Sequence, residues 1–170
     1  MCIRDRHVTE RHLVEPISEN VFGPDAPMTR AAMVSALYQL AGQPEVGSST
    51  PFTDVAGEPY ETAVAWAYEN GISIGTAATR FSPEQPITRE EAATLLWRYT
   101  DHLGQDVSSG ADLYMYPDGE NCSIWAKDAM AWAVEKKVIQ GRTYGSIAPQ
   151  GVLTRAEAAQ MLLNYEEGHK

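Results

Sequence analysis

Three arginines in this 170-residue chain hold the same chemical position. Arg30, Arg89 and Arg155 each follow a threonine, Thr29, Thr88 or Thr154, that opens an apolar helical run. A cation in the first helical turn opposes the helix macrodipole, at a cost of about a few tenths of a kcal/mol. Placing one there three times in an acidic chain needs a compensating role. One role is anion binding: helix N-terminal amides and a guanidinium fork together suit a carboxylate or phosphate. The other is structural: each arginine pairs with a carboxylate of a neighbouring unit, such as Asp54 or Asp118. Residue chemistry leaves both open.

Other residues recur around these arginines. Trp66 and Trp132 sit mid-helix among small neighbours. They read as core, or as platforms for the apolar face of a sugar ring. Gly75 and Gly141 close a loop, where glycine serves a left-handed backbone or lets a ligand approach the main chain. Asp54 and Asp118 follow an aromatic and read as turn or cap residues at a helix start, with ligand contact as the alternative. His7, His12, His102 and His169 fall at no repeated position, and no nucleophile or metal signature surrounds them. Neither a catalytic residue nor a metal or cofactor site is assigned. Glu90-Glu91 and Glu166-Glu167 read as solvated charge. The segment Pro117-Asp118-Gly119-Glu120-Asn121 lacks the alternating ligands and terminal Glu of a calcium loop.

The elements that position these residues come from an internal repeat. Phe22/Pro24/Thr29-Arg30, Phe81/Pro83/Thr88-Arg89 and Ile147/Pro149/Thr154-Arg155 share one spacing, with Thr-to-Thr periods of 59 and 66 residues. Thr88 with Glu91, and Thr154 with Glu157, spell capping boxes; Ala32 breaks the pattern after Thr29. Apolar residues then recur at helical spacing, as in Ala92, Leu95, Leu96 and Tyr99, or Ala158, Met161, Leu162 and Tyr165. Gly42 and Gly104 stop two of these helices. Upstream, a second helix is expected over Tyr60 to Asn70 and again over Trp125 to Lys136. Lys137 stands where Gly71 does and adds a cation to the third unit. A unit this small cannot bury its apolar face alone, so neighbouring copies must share a core.

These motifs resemble the S-layer homology family, whose pattern runs F-x-D, a helix with W and A, G-I-x-x-G, F-x-P and I-T-R-A-E. The last signature stands here as Met28-Thr29-Arg30-Ala31-Ala32, Ile87-Thr88-Arg89-Glu90-Glu91 and Leu153-Thr154-Arg155-Ala156-Glu157. The resemblance covers Pro16 to Glu166. It implies an all-α fold of helix-loop-helix repeats, packed pseudo-threefold around a shared helical core. The units divide as 7–44, a partial first repeat, 50–104 and 112–167. It also tips the arginines toward ligand contact, because the family binds anionic cell-wall polysaccharides, commonly pyruvylated.

Composition bounds the rest. The formal net charge of −10 argues against nucleic acid and anionic membrane surfaces. No apolar stretch approaches membrane-spanning length. Cys2 and Cys122 are too few for a disulfide scaffold, and Cys122 reads as an incidental thiol. Met1-Cys2-Ile3-Arg4-Asp5-Arg6 resembles a translated sequencing adapter. Counting back from Phe22 puts the first-repeat tryptophan position at His7, so the first unit is expected to be truncated, its upstream helix and any signal peptide lost. The position matching Gly75 falls on Pro16.

The expected function is non-covalent anchoring of a Gram-positive surface protein to a pyruvylated secondary wall polysaccharide, outside the cell. No membrane insertion is expected, and self-assembly would run through missing upstream domains. Two rivals stand: a helical-repeat protein-interaction module, and the targeting end of a truncated wall-active or glycan-active enzyme.

Overall fold

The computed structural model describes residues 13–15 and 22–169. The expectations on the hexapeptide, Cys2, His7, His12 and Pro16 lie outside them. Among the described residues five α-helices appear: α1 (Arg30–Leu40), α2 (Glu61–Glu69), α3 (Arg89–His102), α4 (Lys127–Glu135) and α5 (Arg155–Gly168). Single 3-10 turns over Leu113–Met115, Gly119–Asn121, Ile124–Ala126 and Thr143–Gly145 fill the third repeat.

Helix starts follow the local chemistry. Thr88 and Thr154 are N-caps in full capping boxes with Glu91 and Glu157. Thr29 caps α1 through its hydroxyl alone, which accepts from the Ala32 amide at 3.1 Å. Helix ends follow it too: Gly42 and Gly104 take left-handed φ values of 80° and 71°, the backbone that glycine adopts without a Cβ penalty. Lys137 adopts φ 57° at the position where Gly71 has 68°.

The three Thr-Arg segments meet in a closed ring. The Met28 amide donates to the Leu153 carbonyl (2.8 Å), Leu153 to Ile87 (2.9 Å), and Ile87 back to Met28 (2.9 Å). Antiparallel bridges Pro27↔Thr154, Thr29↔Pro86 and Thr88↔Val152 flank these bonds. Met28, Ile87 and Leu153 are buried at its centre. Helix contacts also run between repeats: α1 packs on α2, and α3 on α4. A column of rings ties the repeats together, from Tyr38 through Trp66, Tyr99 and Tyr165 to Trp132, with centroids 5.4–6.3 Å apart. Truncating one of its buried tryptophans to alanine would cost about 3–5 kcal/mol.

This architecture corrects the all-α expectation. Helix makes up about 46% of the described residues and isolated bridges 5%, with no sheet. More than half of the described residues are loop or isolated bridge, and extended backbone joins the repeats at their centre. The physical reason lies in the Pro24, Pro83 and Pro149 segments. Their carbonyls face orphan amides of the neighbouring helix, so the loops are bonded elements of the fold and not mere connections.

Candidate functional site

Each arginine leaves its own repeat and enters the next. Arg30 Nε donates to the Phe81 carbonyl (3.0 Å), Arg89 Nε to Ile147 (2.9 Å) and Arg155 Nε to Phe22 (2.9 Å). The acceptor is the same anchor residue in every case. The guanidinium also lies over the anchor ring, with Arg30 5.1 Å from the Phe81 centroid and Arg155 5.4 Å from that of Phe22. Arg30 Nη1 pairs with Glu91 and Arg89 Nη1 with Glu157, both at 3.3 Å. The partner is the capping-box glutamate of the next repeat. Arg155 meets Ala32 at that position and instead donates Nη2 to the Glu15 carbonyl. Burial lowers the pKa of all three arginines; the facing glutamate opposes this at Arg30 and Arg89.

The helix N-terminal amides do not face a ligand, contrary to the anion-site expectation. Arg30 and Ala31 donate theirs to Gln85 and Pro83, Arg89 and Glu90 to Gly151 and Pro149, and Arg155 and Ala156 to Ala26 and Pro24. The next amide in each helix goes to its own capping threonine. The first three amides of each of these helices are therefore satisfied within the fold.

Asp54 and Asp118 act within their own repeats. Asp54 accepts from the Phe81 and Ser82 amides at 2.8–3.2 Å. Asp118 accepts from the Ile147 and Ala148 amides and the Ser146 hydroxyl at 2.5–3.0 Å. Ser82 and Ala148 hold left-handed φ values of 60° and 44°, and these carboxylates fix that turn. In Asp54, burial works to raise the pKa, but the two amides prevail and hold it below the ordinary value. Asp118 shows the same balance, with the Ser146 hydroxyl foremost among the lowering groups.

Trp66 and Trp132 are 2% and 0% exposed, in the aromatic column. Trp132 Nε1 has no acceptor among the described residues. Trp125, by contrast, is 58% exposed. Gly75 requires glycine: its φ is 75°, and a Cβ would lie 2.4 Å from the Phe52 ring and 2.7 Å from the Arg80 carbonyl. Gly141 has no such φ, and a Cβ there would stand 3.3 Å from the Ser146 carbonyl. Glu90 corrects another expectation. It is 4% exposed rather than solvated, accepting from the Ser123 amide (2.9 Å) and hydroxyl (2.7 Å). Its partner comes from the third repeat, which no local pattern announces.

Three of the grooves between the described repeats are each lined by one of the arginines. The first, about 440 Å³, holds Arg30, Gly75, Glu91, Arg98 and Trp125. The second, about 160 Å³, holds Arg89, Gly141, Arg142, Glu157 and Asn164. The third, about 180 Å³, holds Arg155, Glu15, Ala32, Gln39 and Tyr60. Arg142 narrows the second groove: it grips Glu157 with both Nε (2.8 Å) and Nη2 (2.9 Å), where the first groove has Thr76. Sequence reading missed Arg98 and Arg142 as groove residues and ranked Trp125 below Trp66 and Trp132, because it has no counterpart in every repeat. Trp125 stands just before α4, outside the apolar helical run that buries Trp132, and that position was the available signal.

Interlocked repeats with arginine-lined clefts between them define a repeat-built module. The chain belongs to the S-layer homology domain family, whose model matches residues 51–93 and 116–159. Members of this family anchor surface proteins to the cell wall; enzymes that contain them owe their activity to other domains. Over 156 residues, 91% of its length, the chain is 30% identical to "Exoglucanase XynX" of Acetivibrio thermocellus, covering 14% of that protein. It is likewise 30% identical over 156 residues (91% of the chain) to "Amylopullulanase" of Thermoanaerobacterium thermosulfurigenes, covering 8% of it. "Surface-layer 125 kDa protein" of Lysinibacillus sphaericus matches at 30% over 142 residues, 81% of this chain and 12% of that one. The chain thus spans less than a fifth of each of these relatives. No helix among the described residues is long and apolar enough to cross a membrane.

Proposed function

We propose that the chain anchors its parent protein non-covalently to an anionic secondary polysaccharide of the cell wall, at the bacterial surface. The observation that carries this reading is the recurrence of one equivalent arginine, Arg30, Arg89 or Arg155, in three grooves between repeats. In a chain of net charge −10, cations gathered in clefts favour a ligand that brings its own carboxylates, such as a pyruvylated sugar. Arg30 and Arg89 each keep one carboxylate neighbour, so the ligand adds to an ion-pair network rather than replacing it. Gly75 and Gly141 line the first and second grooves. Asp54 and Asp118 shape the loop behind it. Trp66 and Trp132, first considered as sugar platforms, support the grooves from the core. Several weak grooves acting on one polymer would add by avidity.

The named relatives include glycan-active enzymes as well as a surface-layer protein. That supports a second reading for the parent: a wall-bound or glycan-active enzyme of which this is the targeting part. Either parent uses the same anchor. Co-sedimentation with Gram-positive cell walls, before and after extraction of the secondary polysaccharide, tests the proposal. Binding should be present before extraction and absent after it; retention on extracted walls would overturn it.

A further inference from the structure

The grooves share a plan, but their linings differ. Arg98 projects from α3 into the first groove. Its counterparts, Asn164 in the second and Gln39 in the third, carry no charge. Arg98 is half-buried, and its Nη1 reaches the Ile72 carbonyl only at 3.4 Å. Among the described residues no carboxylate lies within ion-pair distance of it. Arg30 in the same groove is paired with Glu91, and Arg142 in the next is clasped by Glu157.

A partly desolvated guanidinium without a counter-charge is unfavourable. In a chain with ten more formal negative charges than positive, leaving one so is a choice against the surrounding composition. Facing the same cavity, Trp125 from the third repeat keeps 58% of its surface exposed. An exposed indole offers an apolar face to a pyranose ring, and a guanidinium fork suits a carboxylate. The charged groups facing this cavity are Arg30, Arg98 and Glu91, a net charge of one positive.

We infer that the groove between the first two repeats is the principal polymer site, and that Arg98 and Trp125 select its ligand, an acidic sugar. Arg98 takes the sugar's carboxylate, and Trp125 stacks on its ring. The second groove, filled by the Arg142–Glu157 pair, contributes little. This inference rests on the wall-polysaccharide reading above.

The test is isothermal titration of the whole chain with purified secondary wall polysaccharide. Wild type is compared with Arg98→Gln, Trp125→Ala and, as a charge-matched control outside the grooves, Lys136→Gln. Circular dichroism should show unchanged helicity in every variant. The two groove variants should each weaken binding by about tenfold or more, and the control should match wild type. Wild-type affinity in both groove variants, or an equal loss in the control, would overturn the inference while leaving the wall-anchor reading standing. Absence of binding by wild type would overturn that reading and this one together.

Discussion

Arg89 and Ile147 belong to different repeats and are joined by a 2.9 Å bond from guanidinium Nε to carbonyl oxygen. The same bond links Arg30 to Phe81 and Arg155 to Phe22, so the arginines lock the ring as well as line its grooves. Of the two roles set against each other in the sequence, these bonds carry the structural one; the ligand role is the one proposed above. The predicted ion-pair partners, however, were Asp54 and Asp118; the glutamates of the capping boxes take that place.

Removing such an arginine should therefore cost stability. Arg89→Ala orphans the carbonyls of Ile147 and Gln140 and removes one partner of Glu157. A loss of about 2–4 kcal/mol is expected in urea unfolding. A variant as stable as wild type would show that the bond carries no weight.

The two recurrent loop glycines should not respond alike. Gly75→Ala forces a Cβ into Phe52 and into a left-handed backbone, and should cost about 2 kcal/mol or more. Gly141→Ala meets a single carbonyl oxygen at 3.3 Å and should cost less than about 1 kcal/mol. Thermal melts of the two variants check the difference; equal shifts would refute it.

Cys122 should be chemically silent in the folded chain. Burial, then the charge of Glu90 and a hydrogen bond to it, push the thiol up to about 12. Iodoacetamide at neutral pH should label the Cys122 peptide only after unfolding. Labelling of the native protein at the rate of a free thiol would contradict this.

Acid should loosen the loop that Asp54 and Asp118 hold. Their folded pKa values are depressed, because backbone amides and, at Asp118, a hydroxyl outweigh the effect of burial. Their stabilisation is then full above the unfolded carboxyl value of about 4 and is lost as pH falls through the folded value. Urea midpoints should hold between about pH 5 and 7 and drop below about pH 4. Asp54→Asn should lower the neutral-pH midpoint and flatten part of the acid limb, since Glu157 is depressed too. An unchanged acid limb would count against the assignment.

Local chemistry was readable in the sequence and distant chemistry was not. Thr88, Glu91, Thr154 and Glu157 announce their capping boxes because all the partners lie within four residues. The ring of Met28, Ile87 and Leu153 joins residues 59 to 125 apart, and no periodicity encodes it. The helix label failed for the same reason: apolar spacing finds helices but not loops whose carbonyls cap another repeat. Trp66 and Trp125 illustrate the limit at the grooves. Trp66 lies within α2 and Trp125 just before α4, and the packing makes one the buried hub and the other the exposed groove wall.

The central claim is that arginine-lined grooves take a polymer's carboxylates. Its most direct test compares binding of the chain to purified secondary wall polysaccharide with intact carboxyl groups and to the same polymer after their chemical reduction to alcohols. The account predicts saturable, salt-sensitive binding to the first and loss of at least about tenfold in affinity for the second. Equal affinity for both would show that the arginines serve the ring alone.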